Sequence, residues 1–213
     1  MLHTDDIADK IVHQLGTAIE EHGAASLVVC GGSSPVDIFH QLAEGQHKGT
    51  LDWSCVTITL VDDRQVPADD PHSNQRLLRE HLLIGVVAAA RFIPLTDGED
   101  VSKISRPFDV MLLGMGPDGH FASLFPSMVG NAELMATAQP ALLETGPEGS
   151  PKLPRISMNL AMILQSHLII LLVKGAEKQA VLKAAKTDQG LPVHALLAQT
   201  ITPVHIATDQ TGK

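Results

Sequence analysis

Short apolar runs of strand length recur along the chain, and most are followed by a polar or glycine-rich segment. The runs are rich in β-branched residues and most are continuously apolar, which indicates strands buried on both faces of a parallel sheet. They are SLVVC (26–30), VTITLVDD (56–63), DVMLLG (109–114), HLIILLV (167–173) and PVHIAT (203–208), which would close the sheet.

Before and between these runs, apolar residues recur with helical spacing. This spacing predicts helices over 5–22, with Thr4 as N-cap and Gly23 as the stop, over 35–43 and over 73–83. A further helix is predicted soon after the fourth strand. Strands that alternate with helices predict an α/β fold. We expect a single doubly wound, mainly parallel, Rossmann-like sheet with helices on both faces.

The length of 213 residues fits one domain that spans residues 1–213. Apolar residues make up 44% of the chain and charged residues 18%, which predicts a substantial core. Aromatic residues make up only 3%, so the core should be mainly aliphatic. The segment GPEGSPKLP (146–154) is predicted to be a loop inside this domain rather than a linker.

The charge and the terminal segment narrow the range of partners and locations. The formal net charge is -9 and there is no run of Lys or Arg, which argues against nucleic acid. The N-terminus has no apolar stretch typical of a signal peptide, and the longest apolar run is too short to span a membrane. Cys30 and Cys55 are interpreted as small buried residues rather than a disulfide. We therefore expect a cytoplasmic monomer or small homo-oligomer.

The segment Gly31, Gly32, Ser33 and Ser34 lies between a predicted strand and a predicted helix. Glycines let the backbone approach an anion closely, while the helix N-terminus and two hydroxyl groups offer hydrogen-bond donors. The segment therefore suits a phosphate group. An ordinary turn between a strand and a helix can have the same composition, so this alternative stays open.

Further charged residues follow other predicted strands. Asp62, Asp63 and Arg64 end the second strand, where the guanidinium can bind a phosphate while a carboxylate holds it in place. Arg155 and Lys178 add two candidate cations. In open α/β sheets, ligands bind at the carboxyl ends of the strands, so these segments are expected to converge on one edge. The alternative for each is an ordinary solvated side chain.

The sharpest local signal is the loop GMGPDGH (114–120). Its glycines and proline predict a tight loop that carries Asp118 and His120 beyond the end of the third strand. A histidine can take a proton from water near neutral pH, and a neighbouring carboxylate can fix its tautomer. A histidine that packs under a turn is the alternative. Because the chain has no HxxxH or CxxC spacing, we expect no metal or redox cofactor.

In combination, these segments resemble the 6-phosphogluconolactonase family. The matching stretches are CGGSSP, VDDRQVPADDPHSN, FDVMLLGMGPDGHFASLFP, PRISMNL and VKGAEKQAVL, which together extend from about residue 26 to residue 185. The resemblance implies the sugar isomerase/deaminase type of α/β sheet. It also implies a cofactor-free ester hydrolase of the oxidative pentose phosphate pathway that opens 6-phospho-D-glucono-1,5-lactone with water.

The resemblance also implies a role for each matching residue. His120 resembles the general base of the family, and Asp118 resembles its companion. The substrate and phosphate ligands would be Gly31, Gly32, Ser33, Ser34, Arg64, Arg155 and Lys178. The chain departs from the family pattern at Ser34 (usually Thr), Asp63 (usually Glu) and Phe121 (usually Thr).

Two other functions are compatible with parts of this pattern. A glucosamine-6-phosphate deaminase shares the GxGxDGH loop, but there the loop continues into Phe-Asn-Glu-Pro with a catalytic Glu. Residues 122–126 read ASLFP and contain no carboxylate. A non-catalytic sugar-phosphate sensor is the second alternative, against which stands the presence of His120 with Arg64 and Lys178.

Overall fold

The computed structural model describes residues 2–3, 6–45, 51–96 and 98–209. In chain order the strands are β1 (Leu2–His3), β2 (Ala25–Val29), β3 (Val56–Leu60), β4 (Asp62–Arg64), β5 (Arg91–Ile93), β6 (Val110–Gly114), β7 (Leu142–Glu148), β8 (Leu153–Met158), β9 (Ile169–Val173) and β10 (Val204–Thr208). The helices are α1 (Ile7–His22), α2 (Val36–Glu44), α3 (Asn74–His81), α4 (Gly98–Ser102), α5 (Leu160–Ile163), α6 (Ala176–Ala184) and α7 (Pro192–Ala198).

Seven of the strands in the described ranges form one sheet in the order β1-β10-β9-β6-β2-β3-β5. Each neighbouring pair in this sheet is parallel. Strands β2 and β9 are buried at every position, because both faces of the sheet are covered. The α/β fold class with a mainly parallel sheet is therefore confirmed.

The helix ends follow the local sequence signals. Helix α1 stops at Gly23, whose φ of 76° is the left-handed conformation that glycine adopts readily. Helix α3 is capped by Ser73, whose hydroxyl accepts a hydrogen bond from the Arg76 backbone N–H. The predicted cap at Thr4 lies outside the described residues. The core is chiefly aliphatic, with the side chains of Phe39, Phe108 and Phe121 completely buried inside it.

A second sheet, which the sequence did not predict, corrects the expectation of a single one. It contains three strands in the order β4-β8-β7 within the described ranges, and its pairs are antiparallel. The predicted strand 56–63 divides at Val61, whose backbone N–H donates to Val29 in the main sheet while its carbonyl accepts from Met158. The predicted loop 146–154 is also wrong at both ends, since β7 extends to Glu148 and β8 begins at Leu153. Cross-strand pairing has overridden the glycine and proline content.

This arrangement decides where the functional segments lie. The loops after β2, β6 and β9 leave the main sheet at its carboxyl edge, and β4 continues directly from β3 at that same edge. Strand β8 then pairs with β4 and brings a fifth segment, distant in sequence, to this edge. In the part of the chain that the structure describes, no helix is long and apolar enough to cross a membrane.

Candidate active site

A cleft of about 250 Å³ opens at the carboxyl edge of the parallel sheet. Most of the residues predicted from the sequence line it together: Gly31, Gly32, Ser33, Ser34, Arg64, His120, Arg155 and Lys178. The cleft wall also contains Asp62 and Asn74. The exception is Asp118, which contacts His120 instead of contributing to the cleft wall. The expected convergence of separate segments on one edge is therefore observed.

The loop after β6 folds back on itself and carries His120 into the cleft. The backbone N–H of Gly116 donates to the carbonyl of His120 at 2.8 Å, and the N–H of Gly119 donates to Gly116 at 3.1 Å. A Cβ atom on Gly116 would lie 2.1 Å from Cε1 of His120. Position 116 therefore has no space for a side chain, because the imidazole packs directly against its backbone.

Asp118 fixes the tautomer of His120. Nδ1 of His120 lies 2.5 Å from Oδ1 of Asp118, and the same oxygen accepts the His120 backbone N–H at 3.2 Å. An ionised carboxylate can only accept, so Nδ1 carries the ring proton and Nε2 keeps its lone pair. The geometry gives Asp118 the role of orienting the ring, and it leaves Nε2 free to accept a proton.

Strands β4 and β8 place two guanidinium groups side by side. Arg64 and Arg155 are directly opposed in the antiparallel register, so their side chains extend from the same face. Arg155 is only 4% exposed. Burial lowers the pKa of Arg155, and the neighbouring charge of Arg64 lowers it further. Two cations in this arrangement repel each other, and a bound anion would relieve that repulsion.

The two aspartates of β4 have separate partners. Asp62 lies 3.8 Å from the Arg155 guanidinium, and it also accepts the Ser123 hydroxyl at 2.6 Å. The guanidinium of Arg64 donates instead to the side-chain carbonyl of Asn74. Among the described residues, Nε of Arg64 is buried and has no hydrogen-bond partner. The expectation that a carboxylate holds the Arg64 guanidinium is therefore wrong.

Asp63 organises the beginning of helix α3. Its carboxylate accepts backbone N–H groups from Asn74 at 2.6 Å, from Gln75 at 3.1 Å and from Arg64 at 2.7 Å. Burial raises the pKa of Asp63, and these N–H groups partly offset that rise. A carboxylate one methylene shorter than the usual Glu still reaches the helix N-terminus. It positions Arg64 and Asn74 through their backbones.

The glycine-rich segment after β2 approaches Asn74 closely. A Cβ atom on Gly31 would lie 1.9 Å from Oδ1 of Asn74, so only glycine fits there without displacing the amide. Gly32 adopts a φ of 84°, which is also a glycine conformation. No acceptor in the described ranges takes the backbone N–H groups of residues 32–34. These donors are therefore available to a ligand.

Lys178 occupies the third position of helix α6. A cation so near a helix N-terminus is unfavourable unless negative charge balances it. The carboxylate of Asp209 already supplies negative charge at this helix N-terminus, since it accepts the Gly175 backbone N–H at 3.0 Å. The case for Lys178 as a ligand therefore rests on its place in the cleft wall, next to the loop from β2.

Cys30 also lines the cleft, and its thiol is poorly suited to nucleophilic chemistry. It is 5% exposed, and burial together with the charge of Asp62 raises its pKa to about 12. Cys55 is half-buried and lies elsewhere, immediately before β3. Within the described part of the chain, no group of three His, Cys, Asp or Glu side chains is arranged to hold a metal ion.

Sequence reasoning missed Asn74, Ser123 and Phe125 as parts of this site. The PHSN and FASLFP stretches contain them, but none of these three residue types signals a role without its spatial neighbours. Asn74 holds Arg64, Ser123 holds Asp62, and the ring of Phe125 lies against His120.

Fold and cleft together define an α/β protein with a candidate ligand site at the carboxyl edge of a parallel sheet. A family model described as glucosamine-6-phosphate isomerases/6-phosphogluconolactonase matches residues 3–205. The chain therefore belongs to this family, and the resemblance deduced from its motifs is confirmed.

Relatives of known name agree with this assignment. A 6-phosphogluconolactonase of Caulobacter vibrioides is 40% identical over 95% of this chain and 90% of its own length. One of Rhizobium meliloti is 33% identical, with 94% and 91% covered. The crystal structure of a 6-phosphogluconolactonase from Shewanella baltica superposes with a TM-score of 0.87 at 38% identity, covering 96% of this chain and 92% of the other.

Proposed function

We propose that this chain is a 6-phosphogluconolactonase, which hydrolyses 6-phospho-D-glucono-1,5-lactone to 6-phosphogluconate in the oxidative pentose phosphate pathway. The single observation that carries the proposal is the composition of the cleft. Its wall presents three cations, a glycine-rich loop and a histidine whose Nε2 has no hydrogen-bond partner among the described residues. The names of the relatives agree with this reaction.

The phosphate end of the substrate is assigned to Arg64, Arg155, Lys178 and the segment 31–34. The formal net charge of -9 disfavours a dianion over most of the surface, so the attraction must be local. The opposed arginines supply planar donors, and the backbone N–H groups of the loop supply more. Binding the phosphate far from the reacting carbonyl orients the lactone for attack.

The reacting end is assigned to His120. Its Nε2 takes a proton from water while the water oxygen bonds to C1 of the lactone, which gives a tetrahedral oxyanion. Backbone N–H groups of the cleft are the candidate donors to that oxyanion. When the C1–O bond to the ring oxygen breaks, the imidazolium returns its proton to that oxygen. Asp118 keeps the ring in the required tautomer throughout.

A glucosamine-6-phosphate deaminase would need a catalytic carboxylate in the segment after the GxGxDGH loop, and this chain has none there. Among residues 122–126, Ser123 donates to Asp62 and Phe125 lies against His120, and no acidic residue is present. No observation in the described residues specifically favours the sensor alternative, whereas the relatives described above carry the names of enzymes.

The phosphate site is tested by comparing two lysines from the same segment. Lys178→Ala removes a cation from the cleft wall, whereas Lys174→Ala removes one that pairs with Asp37 at 3.3 Å. We expect Lys178→Ala to lower kcat/KM for the phosphorylated lactone by roughly tenfold or more. The control variant, Lys174→Ala, should keep kcat/KM near the wild-type value.

The substrate comparison separates binding from folding. Arg64→Ala and Arg155→Ala should also lower kcat/KM for the phosphorylated lactone but barely affect the slow hydrolysis of unphosphorylated gluconolactone. Equal proportional losses on both substrates would mean that the phosphate site is misplaced. Rates must be corrected for spontaneous hydrolysis of the lactone.

The base is tested by His120→Gln, which keeps a polar side chain of similar size. We expect the catalysed rate to fall by roughly a hundredfold or more, with unchanged thermal unfolding. A folded variant with near-normal turnover would refute the assignment.

Other expectations from the sequence stay predictions. These are the single domain over 1–213, a cytoplasmic location, the absence of a cofactor, and a monomer or small homo-oligomer.

A further inference from the structure

The ring of Phe125 contacts both His120 and Arg155. It is 3% exposed, and its centroid lies 4.5 Å from the centroid of the His120 imidazole, with 31° between the two planes. The guanidinium carbon of Arg155 lies 5.3 Å from the same phenyl centroid. One buried aromatic side chain therefore touches the proposed base and one of the proposed phosphate ligands.

The turn between β7 and β8 restricts the position of this ring. A Cβ atom on Gly149 would lie 2.9 Å from Cζ of Phe125 and 3.1 Å from a terminal nitrogen of Arg155. The Nε of Arg155 donates to the carbonyl of Glu148 at 3.2 Å in the same turn. Because packing this close leaves little free volume, the phenyl ring has few other positions.

The imidazole of His120 needs a second restraint besides its hydrogen bond to Asp118. Its contact with Asp118 fixes the tautomer, but a single hydrogen bond to Nδ1 leaves the ring able to tilt about that contact. The imidazole is partly open to solvent, with 28% of the side chain exposed. A flat buried surface against the ring removes this freedom, because aromatic rings in contact favour a narrow set of relative orientations.

We propose that Phe125 is a positioning residue that holds the His120 imidazole with Nε2 directed at the water that attacks the lactone. The proposal rests on the proposed function of His120 as the base. It goes beyond that function by assigning the second restraint on the ring, alongside Asp118. Phe125 does not itself line the cleft, so its effect on the reaction would be indirect.

The first test compares two buried phenylalanines. Phe125→Leu keeps an apolar side chain but removes the flat ring, and Phe108→Leu makes the same change at a completely buried position outside the cleft. We expect kcat of Phe125→Leu to fall by roughly ten- to a hundredfold, since misplacement of about 1 Å has effects of that size. KM should change much less. Phe108→Leu should lose thermal stability but keep kcat.

A double-mutant cycle shows whether Phe125 acts through His120. In the His120→Gln background, Phe125→Leu should cause no further loss of kcat, because the group it positions is already absent. A further loss equal to that in the wild-type background would overturn the proposal. If His120→Gln itself kept normal activity, the proposed base would fail instead, so the two failures are distinguishable.

An NMR measurement tests the contact without any activity assay. A phenyl ring this close shifts the resonances of the His120 ring protons, which are assigned by their loss in His120→Gln. Phe125→Leu should move these resonances toward the values of a histidine with no aromatic neighbour, whereas Phe108→Leu should leave them unchanged. If Phe125→Leu does not fold, Phe125→Met provides a flexible side chain of similar size for the same measurements. Unchanged resonances and unchanged kcat in a folded variant would refute the proposal.

Discussion

Replacing Gly116 with alanine should displace the proposed base without disturbing the rest of the fold. The added Cβ would lie 2.1 Å from Cε1 and 2.2 Å from Nδ1 of His120, whereas ordinary contact begins at 3.4 Å. The imidazole must therefore withdraw by about 1.3 Å, which also strains its contacts with Asp118 and Phe125. Since a misplacement of about 1 Å can cost roughly a hundredfold in rate, we expect kcat to fall by about that factor.

The backbone itself tolerates this substitution. Gly116 is not among the glycines with positive φ, so alanine adds no backbone strain there. The free energy of unfolding should change by no more than about 1 kcal/mol, because alanine also reduces the entropy of the unfolded chain. Gly130→Ala is the matched control, since its Cβ would meet nothing within 4 Å and its φ is not positive.

The assay is steady-state hydrolysis of the phosphorylated lactone, together with thermal unfolding of both variants. A Gly116→Ala variant that keeps normal kcat would refute the reasoning, as would a crystal structure in which its imidazole has not moved. A similar loss in Gly130→Ala would show that the assay responds to glycine replacement in general.

The remaining predictions concern stability, thiol reactivity and metal dependence. Asp63→Ala should lower the free energy of unfolding by about 1–2 kcal/mol, measured by chemical denaturation, because helix α3 loses its carboxylate acceptor. In native protein near pH 8, a mild alkylating reagent should modify Cys55 while sparing Cys30, whose pKa is about 12; mass spectrometry would reveal early labelling of Cys30 as a contradiction. Activity should survive exhaustive chelation, because the histidine and the cations of the cleft supply the proton and charge chemistry. A loss of activity that is reversed by adding one divalent metal would contradict this prediction.

The sequence by itself determined the parallel sheet and most of the site. Continuous apolar runs such as 26–30 and 167–173 can be buried only if both faces of a sheet are covered, so their pattern alone predicts the α/β class. The polar segments after these runs must then meet at one edge, so the sequence predicts that residues 31–34, Arg64, His120 and Lys178 lie together, as they do in the cleft.

Only the tertiary structure decided the second sheet and the contacts made across it. Strands β4 and β8 are about ninety residues apart in sequence, and their pairing depends on long-range hydrogen bonds rather than on local propensity. That pairing opposes Arg64 to Arg155, buries Arg155 and lets Asn74 rather than an aspartate hold Arg64. The contact between Phe125 and His120 is local in sequence, but the distant turn between β7 and β8 restricts the phenyl ring. Composition and spacing carry no record of which distant segments come into contact.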